Sequence, residues 1–195
     1  MKKIFEKIWD LALPYQDKHN DNGHAQIVTN FAIELCDIEK ANEDIAIPAA
    51  IMHDIGWSQL SKEERFLIFN PDRTPEIEYA VRIKHQEEGV KLTKKILEFV
   101  NYPSKESRQI LEIISGHDTR KGFISKEDGV TRDADKLWRF SKTGFIADLS
   151  RNQFTFKHLY EKLNRQIDIN NFYYSEATKK IARKELDKRK EEYEK

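Results

Sequence analysis

Ala49-Ala50-Ile51-Met52-His53-Asp54-Ile55-Gly56-Trp57 closes an apolar run with a histidine and an aspartate side by side. A carboxylate at the end of such a run is costly to bury unless a positive group sits against it, and a metal ion is the obvious candidate. Successive helical residues point about 100° apart, so the two side chains share no stripe in mid-helix but can converge on one ion at a helix end. Gly56 is placed to end the helix there. A His-Asp step alone arises often by chance, so the reading turns on whether other segments supply further ligands.

Upstream, Asn42 is a good N-cap for the helix that delivers this motif, with Ile45, Ala46, Ala49, Met52 and His53 on its inner side and Pro48 expected to bend it. Before it, His24, Ile27, Val28, Phe31, Ala32 and Leu35 fall at offsets 0, 3, 4, 7, 8 and 11, a helical stripe that begins at Asn22 or Gly23 and includes His24. A first amphipathic helix carries Ile4, Phe5, Ile8 and Trp9 and stops near Pro14, with residues 16–23 as a loop.

Downstream, a polar connector leads to Thr74-Pro75-Glu76, a strong helix start with Pro at the first helical position and an acid in the first turn. The long helix it opens carries Val81, His85, Gly89, Leu92, Ile96 and Phe99 on one side. Pro103-Ser104 breaks and recaps the chain, and Ile110, Ile113, Ile114 and His117 follow at offsets 0, 3, 4 and 7. Residues 133–138 read as another helix start, with Asp135 one turn before Trp138 and Arg139. A helix over 154–172 and a last, highly charged one complete the chain, the tail being expected to be solvated or frayed. No repeat and no alternating strand pattern is present. The fold class is therefore all-α, a single-domain helical bundle over 1–195, with the motif-bearing core at about 23–140 and the helices of 141–195 packing on it.

Composition sets outer bounds. Charged residues make up 35% of the chain, but Lys+Arg and Asp+Glu cancel at 34 each, so no global field draws it to nucleic acid or a membrane. Seven Gly and five Pro over 195 residues favour long helices over many tight turns. The single Cys36, lying among Phe31, Ala32 and Leu35, excludes an internal disulfide and reads as a core thiol in a reducing interior. Glu6, Lys7 and Asp10 interrupt the apolar run that a signal peptide needs, which makes the cytoplasm the expected location.

Four of the six histidines, His24, His53, His85 and His117, thus lie on the apolar side or inner end of four helices, accompanied by Asp54 and Asp135. Singly, each reads as an ordinary core histidine or an acid facing a helix dipole. Jointly they are harder to dismiss, because an unpaired buried polar group costs about 1–3 kcal/mol against a total stability of about 5–15 kcal/mol. One metal site would satisfy them all. Imidazole and carboxylate donors suit Mn, Fe, Co, Ni or Zn, and with no thiolate among them a cysteine-type structural zinc site is excluded.

The order His24, then His53-Asp54, then Asp135 resembles the HD-domain superfamily of metal-dependent phosphohydrolases, in which those four positions hold one ion. His85, in His85-Gln86-Glu87-Glu88-Gly89-Val90, and His117 fall where two-metal members carry two additional histidines. The resemblance implies an all-helical bundle, in agreement with the periodicity. It further implies that His24, His53, Asp54 and Asp135 bind a first divalent ion, that His85 and His117 bind a second, and that Asp54 bridges the two. His53 and Asp54 are then the catalytic pair, serving a metal-bound hydroxide that attacks phosphorus. The Gly-Tyr-Pro element of cyclic di-GMP phosphodiesterases is missing, since His117 leads into Asp118-Thr119-Arg120-Lys121-Gly122. Many relatives carry Lys where this chain has Trp57, a residue expected to pack rather than stack on a base.

The expected substrate is a small phosphorylated molecule, a nucleotide or dinucleotide, with a homo-oligomer left open. Arg82, Lys84, Arg120 and Lys121 are the cations nearest in sequence to ligand histidines, and Arg120 is preferred as the phosphate grip because it follows His117 in a loop. Lys136 is expected to point elsewhere, Asp133 to act as a cap, and His19 and His158 to take no part. Two other readings stand beside the hydrolase. One is a di-iron oxygenase on the same scaffold, resembling the inositol oxygenase type. The other is a non-catalytic metal-stabilised domain that senses a nucleotide or docks a partner.

Overall fold

The computed structural model describes residues 1–18, 21–70 and 72–194, and they contain no β-strand. His19 and part of the expected 16–23 loop lie outside the described residues. The helices are α1 (Lys3–Ala12), α2 (His24–Glu39), α3 (Glu43–Met52), α4 (Lys62–Leu67), α5 (Pro75–Phe99), α6 (Ser104–Ile114), α7 (Lys126–Trp138), α8 (Lys142–Asn152), α9 (Phe156–Ile167) and α10 (Glu176–Tyr193).

Helix α3 is the centre of the bundle. All eight residues from Ile45 to Met52 are buried, and α1, α2, α6 and α7 pack around it. A helix that is apolar all round can lie only in such a position. Its start follows the sequence: the Asn42 side chain accepts from the Asp44 N–H at 3.0 Å, and Pro48 is accommodated inside the helix. Thr74 likewise caps α5 through the Ile77 N–H, with Pro75 in the first turn. Cys36 is buried among the core residues, and burial pushes its thiol up to about 12, which leaves it chemically inert.

Several boundaries depart from the periodic reading. Helix α7 begins at Lys126, where the Ser125 side chain accepts from the Asp128 N–H, so residues 133–138 form its second half and not its start. The expected 154–172 helix stops at Ile167, α4 arises within the expected polar connector before Thr74, and α8 is a further helix in the 141–195 region. Phe99, placed on the inner stripe of α5, is 66% exposed, because the stripe drifts off the core over a helix this long. The charged last helix is docked: α10 buries Thr178, Ala182 and Leu186 and packs on α2, α7 and α9.

Gly56 does not terminate α3. The helix ends at Met52 with His53 as its C-cap, and Gly56 lies in the 3-10 turn Ile55–Gln59 that follows. Its missing side chain serves a close crossing, since a Cβ there would stand 2.0 Å from the His85 carbonyl oxygen and 2.5 Å from the Gly89 nitrogen. The turn after the His-Asp step thereby presses directly on α5. Gly56→Ala is expected to destabilise the fold by about 1–3 kcal/mol through overpacking, or about 2–4 °C of melting temperature per kcal/mol. Thermal unfolding of the purified variant measures this.

Candidate metal centre

Five segments deliver the six ligand candidates. His24 is the first residue of α2, and the chain enters that helix through Gly23 at φ 80°, a left-handed conformation that favours glycine. The Asp17 carboxylate accepts from the Gly23 and Ala25 N–H groups at 2.7 and 3.1 Å and so fixes the entry. His53 caps the end of α3, with Asp54 following at φ −105° and ψ 4°. His85 is wholly buried in the middle of α5, His117 lies just beyond α6, and Asp135 sits one turn before the end of α7.

The side chains converge as two groups around one carboxylate. The His24 and His53 Nε2 atoms stand 3.0 Å apart. Asp54 Oδ2 lies 3.3 Å from the first and 3.5 Å from the second, and Asp135 Oδ1 lies 3.4 and 3.6 Å from them. On the other side, the His85 and His117 Nε2 atoms are 3.3 Å apart, with Asp54 Oδ1 3.2 and 3.4 Å away. Donors held at about 2.0–2.2 Å from one ion must stand about 3.0–3.6 Å from each other, so each group has the edge lengths of a coordination shell. Asp54 turns one oxygen to each group.

Ring orientation agrees. A carbonyl can only accept, so His53 Nδ1–H donates to Ala50 O at 2.8 Å and His117 Nδ1–H donates to Ile114 O at 2.9 Å. Both rings therefore turn Nε2 inward, the atom that would meet a metal once any proton there is displaced. The two His-Asp steps, His53-Asp54 and His117-Asp118, are thus held in the same way, each after the end of a helix where the dipole favours a cation. Trp57 fixes the remaining pieces. Its ring stacks on His85 at 4.1 Å and 10°, and its Nε1–H donates to Asp54 Oδ1 at 3.2 Å. It packs, as the sequence reading anticipated, and it also touches two ligand candidates.

The electrostatics call for positive charge. Burial opposes ionisation of Asp54, yet the imidazoles of His53, His117, His24 and His85 hold its carboxyl well below the usual range. Burial likewise works against Asp135, but His53 and His24 bring it down to about 2. Burial disfavours a charged His53, and Asp54, Asp135 and the Ala50 carbonyl overcome this and raise it to about 10. His85, where burial outweighs Asp54, is lowered instead. The residues therefore fit a divalent cation in each group by donor chemistry, spacing and charge.

The cluster floors a cavity of about 610 Å³. Of the four cations expected to grip substrate, Arg82 lines it, bonded to Glu78 Oε1 at 3.0 Å and to Asp118 Oδ2 at 2.9 Å. Arg120 turns back, its Nη2 donating to Glu112 O at 2.8 Å at the carbonyl end of α6. Lys84 pairs with Glu64 on the outside, and Lys121 is exposed, so neither lines the cavity. Lys136, expected to point elsewhere, does line it, and its ammonium lies over the rings of Phe123, Phe172 and Tyr173 while donating to Phe172 O. Asp133 acts as a cap, though for a distant helix: it accepts from the Tyr174 and Ser175 N–H groups and the Thr178 hydroxyl at the start of α10.

Two further carboxylates, Asp118 and Asp21, stand beside the cluster outside the expected ligand set. Asp118 Oδ2 is 3.9 Å from both His85 and His117 Nε2, and the second His-Asp step at a helix end was the signal for it. Asp21 groups with His24 and Asp54 closely enough to join a metal site, a contact made across the turn before α2 that no periodicity could reveal.

Comparison with known proteins gives the same picture. Residues 23–139 match the HD domain family. No curated protein matches the chain. Among solved structures, the chain is similar to a predicted HD superfamily hydrolase from an uncultured Thermotogales bacterium, at 18% identity and a TM-score of 0.61, over 98% of this chain and 88% of that one. With a family match over more than half its length and the six-residue cluster of four histidines and two aspartates at its centre, the chain belongs to the HD domain family.

Proposed function

We propose that this protein is a metal-dependent phosphohydrolase that cleaves a phosphoester or phosphoanhydride bond of a small substrate, a nucleotide or dinucleotide in the first instance. The observation that carries the reading is the Asp54 carboxylate, one oxygen toward His24 and His53 and the other toward His85 and His117, at the floor of a cavity walled by arginine and lysine. Divalent ions held in such a pair supply Lewis acidity, which neutralises phosphoryl charge and makes water nucleophilic near neutral pH.

The protein's own residues then have separate tasks. His24, His53 and Asp135 hold one side of the centre, and His85 and His117 hold the other. Asp54 sets their spacing. Arg82, fixed by Glu78 and Asp118, presents a guanidinium beside the His85 and His117 group, where charge on a leaving or non-bridging oxygen is to be stabilised. Trp138 and Phe172 add aromatic surface to the cavity wall, which suits a base or another flat apolar group. An oxygenase acting on a neutral polyol has less use for so many cations, and the cavity favours the phosphate reading for that reason.

Three measurements test this. Hydrolysis of a nucleotide panel under Mn²⁺, Fe²⁺, Co²⁺ and Ni²⁺, with elemental analysis of the same preparation, should give turnover that depends on bound metal; O₂ uptake with iron and no hydrolysis would favour the oxygenase. His53→Ala and Asp54→Ala should each lose metal and at least about 10²-fold in activity while keeping helical circular dichroism, and His85→Ala should lower the metal content by one ion. Trp57→Phe, which keeps the ring but removes the N–H to Asp54, should weaken metal binding by about 10-fold.

Proton linkage supplies a further check. His53 is raised from 6.5 to about 10, so in the metal-free protein its protonated form contributes stability that is complete below pH 6.5 and is lost as pH rises through about 10. A metal must displace that proton. At pH 8, titration of Mn²⁺ into metal-free protein in buffers of different ionisation enthalpy should therefore report release of about one proton or more per chain.

A further inference from the structure

Arg139, Arg151 and Lys162 come from the end of α7, from α8 and from α9, and all three line the cavity that holds the metal-ligand cluster. The carboxylate that organises them is Asp148, 3% exposed on α8. Its Oδ2 accepts from Arg139 Nε at 2.7 Å and lies 2.6 Å from Nη2, while its Oδ1 accepts from Arg151 Nη2 at 2.8 Å. Each guanidinium has five N–H donors, so most of their capacity stays unused. Among the described residues, Arg151 Nε is buried without a hydrogen-bond partner, as is the indole N–H of Trp138, over whose ring the Arg151 guanidinium lies at 5.0 Å.

Lys162 adds to the excess. It has no carboxylate within ion-pairing distance among the described residues, and its ammonium lies over the Phe154 ring at 4.8 Å. Burial pushes it below its ordinary value, and so does the neighbouring Arg139, with Asp148 pulling the other way. One buried carboxylate is thus shared by two of the three cations, and the third has no ion-pair partner among the described residues. A structural ion pair needs one cation per carboxylate, and like charges gathered in a partly dehydrated wall repel one another unless an anion joins them. Arg139 follows Asp135 by four residues, about 6 Å along the helix axis, so this wall adjoins the metal centre.

We propose that Arg139, Arg151 and Lys162 form an anion subsite for a second phosphate-type group, so that the substrate carries two: one at the metal centre and one here. A diphosphate chain or a molecule phosphorylated at two positions fits that arrangement. The assignment of the first group rests on the phosphohydrolase reading; the subsite does not.

The test is a calorimetric titration of inorganic phosphate into protein stripped of divalent ions by chelation and then dialysed. Wild-type protein should bind phosphate, Lys162→Ala should bind it at least about threefold more weakly, and Lys162→Ala with Arg139→Gln at least about tenfold. Arg151 remains on Asp148 in both variants, and circular dichroism verifies their fold; Lys162→Ala alone decides if the double variant does not fold. With metal supplied, Lys162→Ala should raise KM for doubly phosphorylated substrates and leave KM for singly phosphorylated ones unchanged. Equal phosphate affinity in wild type and variants, or no binding by the metal-free wild type, overturns the subsite even if the protein hydrolyses phosphoesters. Phosphate binding that weakens as stated in a protein that never hydrolyses them supports the subsite and overturns the hydrolase reading alone.

Discussion

Four buried imidazoles and two carboxylates within a few ångströms of one another are the constraint on which the rest of the structure depends. Each group is expensive to strip of water, and the cluster is tolerable only if lone pairs and negative charges face a cation. Asp54 is the hinge of that balance, since its two oxygens serve two different pairs of histidines. To put it there, α3 must run through the middle of the bundle and end at His53, and α5 must cross closely enough to bring His85 within reach. The Gly56 and Gly89 contact permits that approach, and Trp57 locks the turn against both Asp54 and His85.

The same economy governs the cavity above. Three of its arginines are held in place by acids, Arg82 by Asp118 and Glu78, and Arg139 and Arg151 by the buried Asp148. Fixing a guanidinium in advance removes the entropy of ordering it when an anion arrives. Arg120 shows the converse, for its guanidinium is taken up by carbonyl and hydroxyl groups at the end of α6 and is turned away from the cavity.

Much of the fold was legible because helical periodicity and capping are local. Asn42, Thr74 and the stripe of His24, Val28, Ala32 and Leu35 announce their helices within a few residues. What escaped has a common cause. Helix α4 is short and charged, and α8 buries Phe145 while leaving Ile146 exposed, so no apolar stripe of three turns marks either, and the true start of α7 hides in a segment with Gly129 and few apolar residues. Asp133 was legible as a cap, but its target lies some forty residues away at Tyr174, Ser175 and Thr178.

By itself, the sequence determined the helical class, the central apolar helix ending in His53-Asp54, and the set of histidines and aspartates able to hold metal, because these are encoded by residue type and by spacing within single helices. Only the tertiary structure decided how Asp54 divides its oxygens, that Asp21 and Asp118 stand beside the cluster, and which cations face the cavity. Nearness in sequence to a ligand histidine favoured Lys84, Arg120 and Lys121, but a long side chain goes wherever an acceptor waits. Acceptors such as Glu64, Glu112 O and Asp148 are brought into place by the packing of separate helices. Direction in space is a property of that packing, and no local pattern carries it.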